Sequence, residues 1–485
     1  MRLSERGVAR GAVLFLCACL LQACGEGLPE TTAVTSTRSA LEAKALASGD
    51  ILAQLQAIPG MTVLAEKPVP GNPSLRYFVL DYDQPADHRH PEGEHFQQRM
   101  TLLHRSAEAP MVLASTGYDL YSYQPVNTEP SYLLTANLLY VEHRFFATST
   151  PASSNWKLLD IKQAAADHHR IIQALKPLYP ASWLTTGGSK GGMTSIYHRY
   201  FYPNDVDATV AYVAPNSYLD GDPRYSLFLN KVGTAECREK LRQVQRALLQ
   251  RHAEIQPFLD ELTAYGITFN GLGLDKAYEF AVTEAPFTFW QYGYGVDACA
   301  DIPAANAPAA ALFQFLEDTN AVDLYSDEGL EPYAAYYYQS ATQLGGPSYS
   351  EAHLFPLLRY PLQDRSRNFP PYGADKDYDF LSMHLVELWM KKSAQHMMLI
   401  YGENDPWSSG AFEVNPANES ARYFVAGGNH GSSLYDLPAA EQSAALQQLS
   451  DWMGAPVRPY PSAAARSAAE DVPVVNPVLE RRHRL

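Results

Sequence analysis

A serine set between glycines, Gly187-Gly188-Ser189-Lys190-Gly191, is the residue of this chain best placed to attack a carbonyl. The G-x-S-x-G spacing is weak by itself, since a chain of this length and composition would show it by chance roughly once in eight. Its context is stronger. An apolar run at 183–186 leads in, and a segment with helical periodicity leads out, carrying Met193, Ile196, Tyr197 and Tyr200 on one side. That is the strand–turn–helix setting of a nucleophile elbow. Glycines two residues before and after the serine remove Cβ atoms that would collide in so sharp a turn. The start of a helix also leaves unpaired N–H groups facing the serine oxygen.

A hydroxyl is a weak nucleophile and needs a base. In an elbow fold the acid and the histidine follow the serine in the chain. An apolar run at 396–401 ends in Gly402-Glu403-Asn404-Asp405-Pro406-Trp407, and another at 421–425 ends in Gly427-Gly428-Asn429-His430-Gly431. Both are loops after expected strands, the edge where such sites gather. The reading is therefore Ser189 as nucleophile, His430 as general base and then acid, and Asp405 as the group orienting the imidazole. Asp405 is preferred to Glu403 because it lies farther past the strand end. For the oxyanion hole, the N–H of Lys190 should be one donor. Gly117 and Tyr118, in the loop after the run 111–115, are the candidates for the other, with Tyr118 slightly favoured.

These residues need a sheet to hold them. Strand-like runs fall at 75–82, 98–104, 111–115, 136–141, 183–186 and 206–213, with an amphipathic helix at 158–178. Such alternation implies a mainly parallel sheet covered on both faces. From about 220 to 377 helices dominate, at 237–256, 256–265 and 307–318, mixed with aromatic-rich pieces at 285–295 and 331–340. This reads as an inserted helical cap. The core then resumes with a helix at 378–391 and a terminal helix at 438–453. The expected order is signal peptide 1–23, tether 24–48, core 49–219, cap 220–377, core 378–455 and flexible tail 456–485. The aromatic stripes of the cap suit a pocket lining and a packed core equally. Lys190's ammonium reads as a surface charge, His168-His169 as a solvated helix face, and Glu142 with Arg144 as a structural pair.

The composition narrows the classes. Hydrophobic residues make up 46% and charged ones 19% of 485 residues, which excludes a disordered chain. Lys plus Arg number 37 against 53 Asp plus Glu, a net charge of −16, so binding nucleic acid through phosphates is excluded. No C-x-x-C or H-E-x-x-H motif points to a metal, and no cofactor is expected. Nothing in the sequence speaks to oligomeric state.

The first 23 residues read as a secretory signal: Arg2, Arg6 and Arg10 precede an apolar stretch at 11–21, too short to span a bilayer. Leu21-Gln22-Ala23-Cys24 resembles a bacterial lipobox, which makes Cys24 the expected lipid anchor and places the protein outside the cytoplasm, lipid-anchored in the cell envelope (outer membrane or cell surface), with plain secretion as the alternative. Gly25 rather than Asp leans towards an outer membrane. Of five cysteines, Cys17 and Cys19 leave with the signal, so Cys237 and Cys299 are expected to pair in an oxidising compartment.

The segments at 141–146 (VEHRFF), 187–194 (GGSKGGMT), 286–293 (PFTFWQYG), 401–412 (YGENDPWSSGAF) and 427–433 (GGNHGSS) together resemble the secreted bacterial tripeptidyl aminopeptidases. These are serine peptidases of the prolyl aminopeptidase type. The resemblance covers about residues 50–455. A more distant likeness, through E-H-R and G-G-S-x-G-G, is to lysosomal Pro-X carboxypeptidase and dipeptidyl peptidase II. The resemblance to the tripeptidyl aminopeptidases implies an α/β-hydrolase fold with a large inserted helical cap, the triad Ser189, Asp405 and His430, and a peptide substrate from whose free amino end short, often proline-ending pieces are released. Measuring from an α-amino group requires an anion at the closed end of a site, for which Glu142, Glu284, Asp297, Glu328 and Glu331 are candidates. Trp290, Tyr292 and Trp407 could line a proline pocket. A lipase or esterase on the same fold, and a non-catalytic surface binding lipoprotein, are the alternatives.

Overall fold

The computed structural model describes residues 49–460, apart from 121 and 294, together with 472–476 and 478. The expected signal and tether, with Cys24, lie outside the described residues.

Five strands buried on both faces form the centre: β4 (Met111–Ser115), β5 (Asn137–Val141), β6 (Trp183–Gly188), β7 (Ala208–Tyr212) and β10 (Met397–Gly402). Near-continuous apolar runs are what a sheet sandwiched between helices demands. Three strands precede them in the chain, β1 (Met61–Lys67), β2 (Arg76–Pro85) and β3 (His95–His104), and β11 (Ala421–Val425) closes the far edge. The nine strands lie in the order β1-β2-β3-β5-β4-β6-β7-β10-β11. Pairing is antiparallel from β1 to β5 and parallel from β5 to β11. The period of two sorts side chains between the faces. Phe78, Leu80, Met111 and Leu113 join one core with the helix Ile161–Leu175, whereas Tyr77, Val79, Val112 and Ala114 join another with the helix Ala439–Met453.

Several boundaries move for local reasons. The helix expected at 158–178 begins only at Ile161, because Asp160 caps it by accepting from Gln163 N at 2.8 Å. The aromatic piece at 285–295 is the end of a long helix, Leu274–Tyr292, that runs through Pro286. His168 is buried, its ring 5.6 Å from that of His198 on the helix Lys190–Phe201, so the expected solvated face is a helix–helix contact. Part of the expected flexible tail is docked: Val474 bridges Asn127, and Asn476 Nδ2 donates to Gly431 O at 2.8 Å.

Between β7 and the helix Ser382–Lys392 the chain is largely helical. The helices Ala235–Gln250, His252–Ala264, Leu274–Tyr292 and Ala309–Asn320 share a hydrophobic core of their own. A two-stranded ladder of β8 (Asp220–Asp222) and β9 (Gly346–Pro347) ties the entry of this region to its later part. Cys237 and Cys299 form a disulfide across 62 positions, with Cα atoms 5.4 Å apart. Closing a loop of that length restricts the unfolded chain by about 4 kcal/mol.

Candidate active site

β6 delivers the chain into a turn that only this sequence tolerates. Ser189 has φ 53° and ψ −122°, outside the regions natural to a residue with a Cβ. Its N–H donates to Tyr212 O at 2.8 Å, and its carbonyl accepts from Met193 N at 3.0 Å. A Cβ on Gly187 would lie 2.3 Å from the Gly191 carbonyl carbon, and one on Gly191 would lie 2.3 Å from Ser115 O. The glycines thus let the turn press against β4, and strain of this kind costs on the order of 1–3 kcal/mol. Lys190 opens the helix directly behind the serine, so its N–H has no intrahelical acceptor.

Asp405 follows β10 and His430 follows β11, on neighbouring strands. His430 Nδ1 lies 2.7 Å from Asp405 Oδ2, and the two side chains are 1% and 0% exposed. A carboxylate only accepts, so Nδ1 carries the hydrogen, and in the neutral ring Nε2 keeps its lone pair. Asp405 Oδ1 is taken by Trp407 N at 3.1 Å, which fixes the carboxylate's rotation. The loop of His430 is anchored to the helical insert: His430 N donates to Gln291 O at 2.9 Å, and Asn429 Nδ2 to Gly293 O at 2.9 Å.

Ser189 and His430 line one cavity of about 210 Å³ between the sheet edge and the helical insert. No hydrogen bond joins them among the described residues, and such contacts commonly tighten only around a substrate. Trp407 and Tyr292 also line it, with ring centroids 6.1 and 6.2 Å from that of His430. The indole N–H of Trp407 has no partner there. A larger cavity of about 500 Å³, lined by Glu129, Tyr212 and the docked segment 473–476, contains neither Ser189 nor His430.

Tyr118 borders the cavity shared by Ser189 and His430, but its N–H points to Thr116 Oγ1 at 3.1 Å, and Gly117 N–H points to Ser115 Oγ at 3.3 Å. The ammonium of Lys190 is no surface charge. The residue is 1% exposed, Nζ donates to Gly117 O at 2.6 Å, and it sits 4.9 Å from the centre of the Phe146 ring. Lys190 thereby pins the loop after β4 against the elbow.

Two expected substrate contacts fall elsewhere. Glu142 is 0% exposed, and its carboxylate accepts from Leu120 N, Thr148 Oγ1, Ser149 N and Ser149 Oγ at 2.7–3.0 Å. Burial pushes its pKa up. With four donors already in place it braces the loop and cannot meet a substrate. Nor does it pair with Arg144, which instead grips Asp167 in a bidentate contact of 2.7 and 2.8 Å. Trp290 is buried in the core of the insert against Gly233. Of the remaining acids, Asp297 and Glu331 are exposed, and Glu328 holds Thr268 Oγ1 at 3.0 Å. Glu284 alone of the five candidates lines the cavity.

The cavity also contains residues the sequence reading missed. Asp364 and Arg365 come from an irregular stretch with no periodicity to flag them. Tyr325, Tyr336, Tyr337 and Tyr349 form much of the wall, and burial raises the pKa of each well above the usual phenol value. The run Tyr336-Tyr337-Tyr338 serves both of the uses considered, since its first two rings face the cavity and Tyr338 is buried beside Trp156.

The sequence matches the PS-10 peptidase S37 family over residues 42–484. It is 42% identical over 411 residues to the prolyl tri/tetrapeptidyl aminopeptidase of Streptomyces mobaraensis, an alignment covering 84% of this chain and 85% of that one. Prolyl carboxy peptidase like protein 5 of Caenorhabditis elegans is 35% identical over 95 residues, 17% of this chain and 18% of its own. Among solved structures, the proline iminopeptidase of Mycobacterium smegmatis aligns with 77% of this chain and 98% of its own, at 13% identity and a TM-score of 0.35. The chain belongs to the PS-10 peptidase S37 family and is a serine peptidase on the α/β-hydrolase fold.

Proposed function

We propose that the protein is an exopeptidase that releases tri- or tetrapeptides, often ending in proline, from free amino ends, with Ser189, His430 and Asp405 as its triad. The observation that carries this reading is the convergence of an elbow serine and a buried carboxylate–imidazole pair on one cavity beneath a helical insert. A cavity of that form favours chain ends over folded protein.

Ser189 Oγ attacks the carbonyl of the scissile bond while His430 Nε2 takes its proton. Asp405 holds the imidazole and offsets the positive charge that forms. The N–H of Lys190 stabilises the oxyanion, joined by that of Tyr118 if it turns from Thr116 Oγ1. His430 then protonates the departing amine, and water releases the acyl peptide by the same steps in reverse order. Trp407 and Tyr292 flank the histidine and offer flat apolar faces to a proline ring. Ser189→Ala should lower turnover of Ala-Ala-Pro-p-nitroanilide by about a million-fold and abolish fluorophosphonate labelling. Labelling that persists in this variant would place the nucleophile elsewhere. Peptides left intact by an enzyme that hydrolyses long-chain esters would favour an esterase.

We also propose an extracytoplasmic, lipid-anchored setting through Cys24. The sequence around residue 24 motivates it, and the Cys237–Cys299 disulfide supports an oxidising compartment. Palmitate should label the wild type and not Cys24→Ser; unlabelled wild-type protein free in the medium would end the proposal.

A further inference from the structure

The catalytic cavity also holds two acids. Glu284 comes from the helix Leu274–Tyr292, and Asp364 from the stretch that leads back towards the core. Asp364 is 2% exposed, and neither of its carboxylate oxygens has a hydrogen-bond partner. Glu284 Oε2 accepts from Tyr325 OH at 2.6 Å. Arg365 also borders the cavity and its charge favours the ionised form of Asp364, but its Nη1 donates to the backbone carbonyl of Asp364 at 2.8 Å and not to the carboxylate, and its side chain lies over Gly221. Lys276 is close enough for its charge to be felt, while Asp220 and Glu351 are acids already engaged with backbone N–H groups.

An unpartnered carboxylate in such a place is expensive. Burial and the charge of Glu284 push the pKa of Asp364 well up, and the charge of Arg365 offsets them only in part, so the site favours a further cation. The surroundings indicate what that cation is. Hydrated divalent metals take six or more oxygen ligands, and no group of three or more metal-holding side chains occurs among the described residues. A primary ammonium carries three donors and suits two carboxylates and a phenol oxygen, and the rings of Tyr336, Tyr337 and Tyr349 suit its positive charge.

We propose that Glu284 and Asp364 form the pocket for the substrate's α-ammonium group, so that their separation from Ser189 sets how many residues are removed. This inference rests on the exopeptidase reading above. A bound ammonium favours the ionised form of Asp364, any proton it holds passing to solvent, so the peptide's positive end meets two carboxylates. An N-acetylated peptide offers one N–H and no charge in its place.

The test compares Ala-Ala-Pro-p-nitroanilide with its des-amino analogue, propionyl-Ala-Pro-p-nitroanilide, which lacks only the amino group. Each enzyme is assayed on both, and the ratio of kcat/KM values is independent of the folded fraction. Wild type should favour the amine about 100-fold or more. Asp364→Asn and Glu284→Gln should each lower kcat/KM for the amine by about 10- to 100-fold and leave the des-amino value within about threefold. Asp364→Glu, which keeps the charge, should restore most of the ratio and serves if the asparagine variant does not fold. An unchanged ratio in both neutral variants would overturn the assignment while leaving the exopeptidase intact. Equal turnover of the two substrates by wild type would refute amino-end recognition altogether. A wild type that labels with fluorophosphonate yet cleaves neither peptide would overturn the exopeptidase reading and this inference with it.

Discussion

Replacing Asp405 by asparagine tests the proposed triad through a single proton. The carboxylate is clamped on both sides: Oδ1 accepts from Trp407 N at 3.1 Å, and Oδ2 faces His430 Nδ1 at 2.7 Å. In Asp405→Asn the amide oxygen stays with the Trp407 N–H, since an NH2 group there would oppose a donor with a donor. The NH2 group must then face Nδ1. Facing a donor, Nδ1 becomes the acceptor and the imidazole hydrogen moves to Nε2, the atom that should take the serine proton. The shape of the site is retained and its chemistry inverted. A tautomer error of this kind lowers kcat by about ten-thousand-fold, equivalent to about 5.5 kcal/mol of transition-state stabilisation. The assay is release of p-nitroaniline from Ala-Ala-Pro-p-nitroanilide, with circular dichroism to check the fold. Glu403→Gln is the control, because Glu403 is exposed and only accepts from Gly427 N at 3.2 Å. Its effect should stay within about threefold, as for surface substitutions away from the chemistry. A folded Asp405→Asn enzyme within tenfold of wild type would refute the assignment of the triad.

Two further expectations concern stability. Burial lowers the pKa of His104 to about 4, of His168 to about 3 and of His353 to about 4. All three are neutral in the folded chain at pH 5, whereas the unfolded chain binds protons there. The unfolded state therefore gains protons as pH falls through 6.5, and stability drops by about 2 kcal/mol at pH 5 for the fully buried His168 and by less for the half-buried His104 and His353, whose shifts solvent screens. Scanning calorimetry should show Tm falling between pH 6.5 and 4, with a shallower slope in His104→Gln; a flat profile would show that these rings are hydrated. The paired substitution Cys237→Ser and Cys299→Ser should destabilise the helical insert by about 4 kcal/mol in urea unfolding. A loss under 1 kcal/mol would mean that its apolar core suffices without the bond.

What was legible in the sequence divides along a physical line. β4 falls on the residues expected, and β5, β6, β7 and β10 within a few, because a central strand must be apolar on both faces and short; the edge strand β11 also falls on the residues expected, marked by the glycine turn that follows it. β1 went unread. Its burial alternates along Met61–Lys67, it lies at an edge, and only its pairing with β2 makes it a strand. The elbow at Ser189 and the contact of His430 with Asp405, on which the proposed triad rests, are legible because turns after strands carry glycine and asparagine signatures. The misreadings share one cause, a charged or polar residue assigned to solvent or to its neighbour in sequence. Arg144 finds Asp167 on a helix, His168 finds His198, and Lys190 finds a backbone carbonyl.

The same division separates the proposed chemistry from the proposed choice of substrate. The reacting groups sit at strand ends, where local rules of turn and helix apply, and a sequence can announce them. The groups that would measure the peptide sit in the insert, on a helix and an irregular stretch, and they meet only through tertiary packing. Asp364 has no turn signature and no periodicity, and it becomes conspicuous only once its carboxylate is found buried and unpartnered. Stability alone would favour a neutral side chain at that position. Its cost is intelligible if a charged ligand completes it, which is why the substrate's amino group, rather than the serine, is the place to test what this peptidase selects.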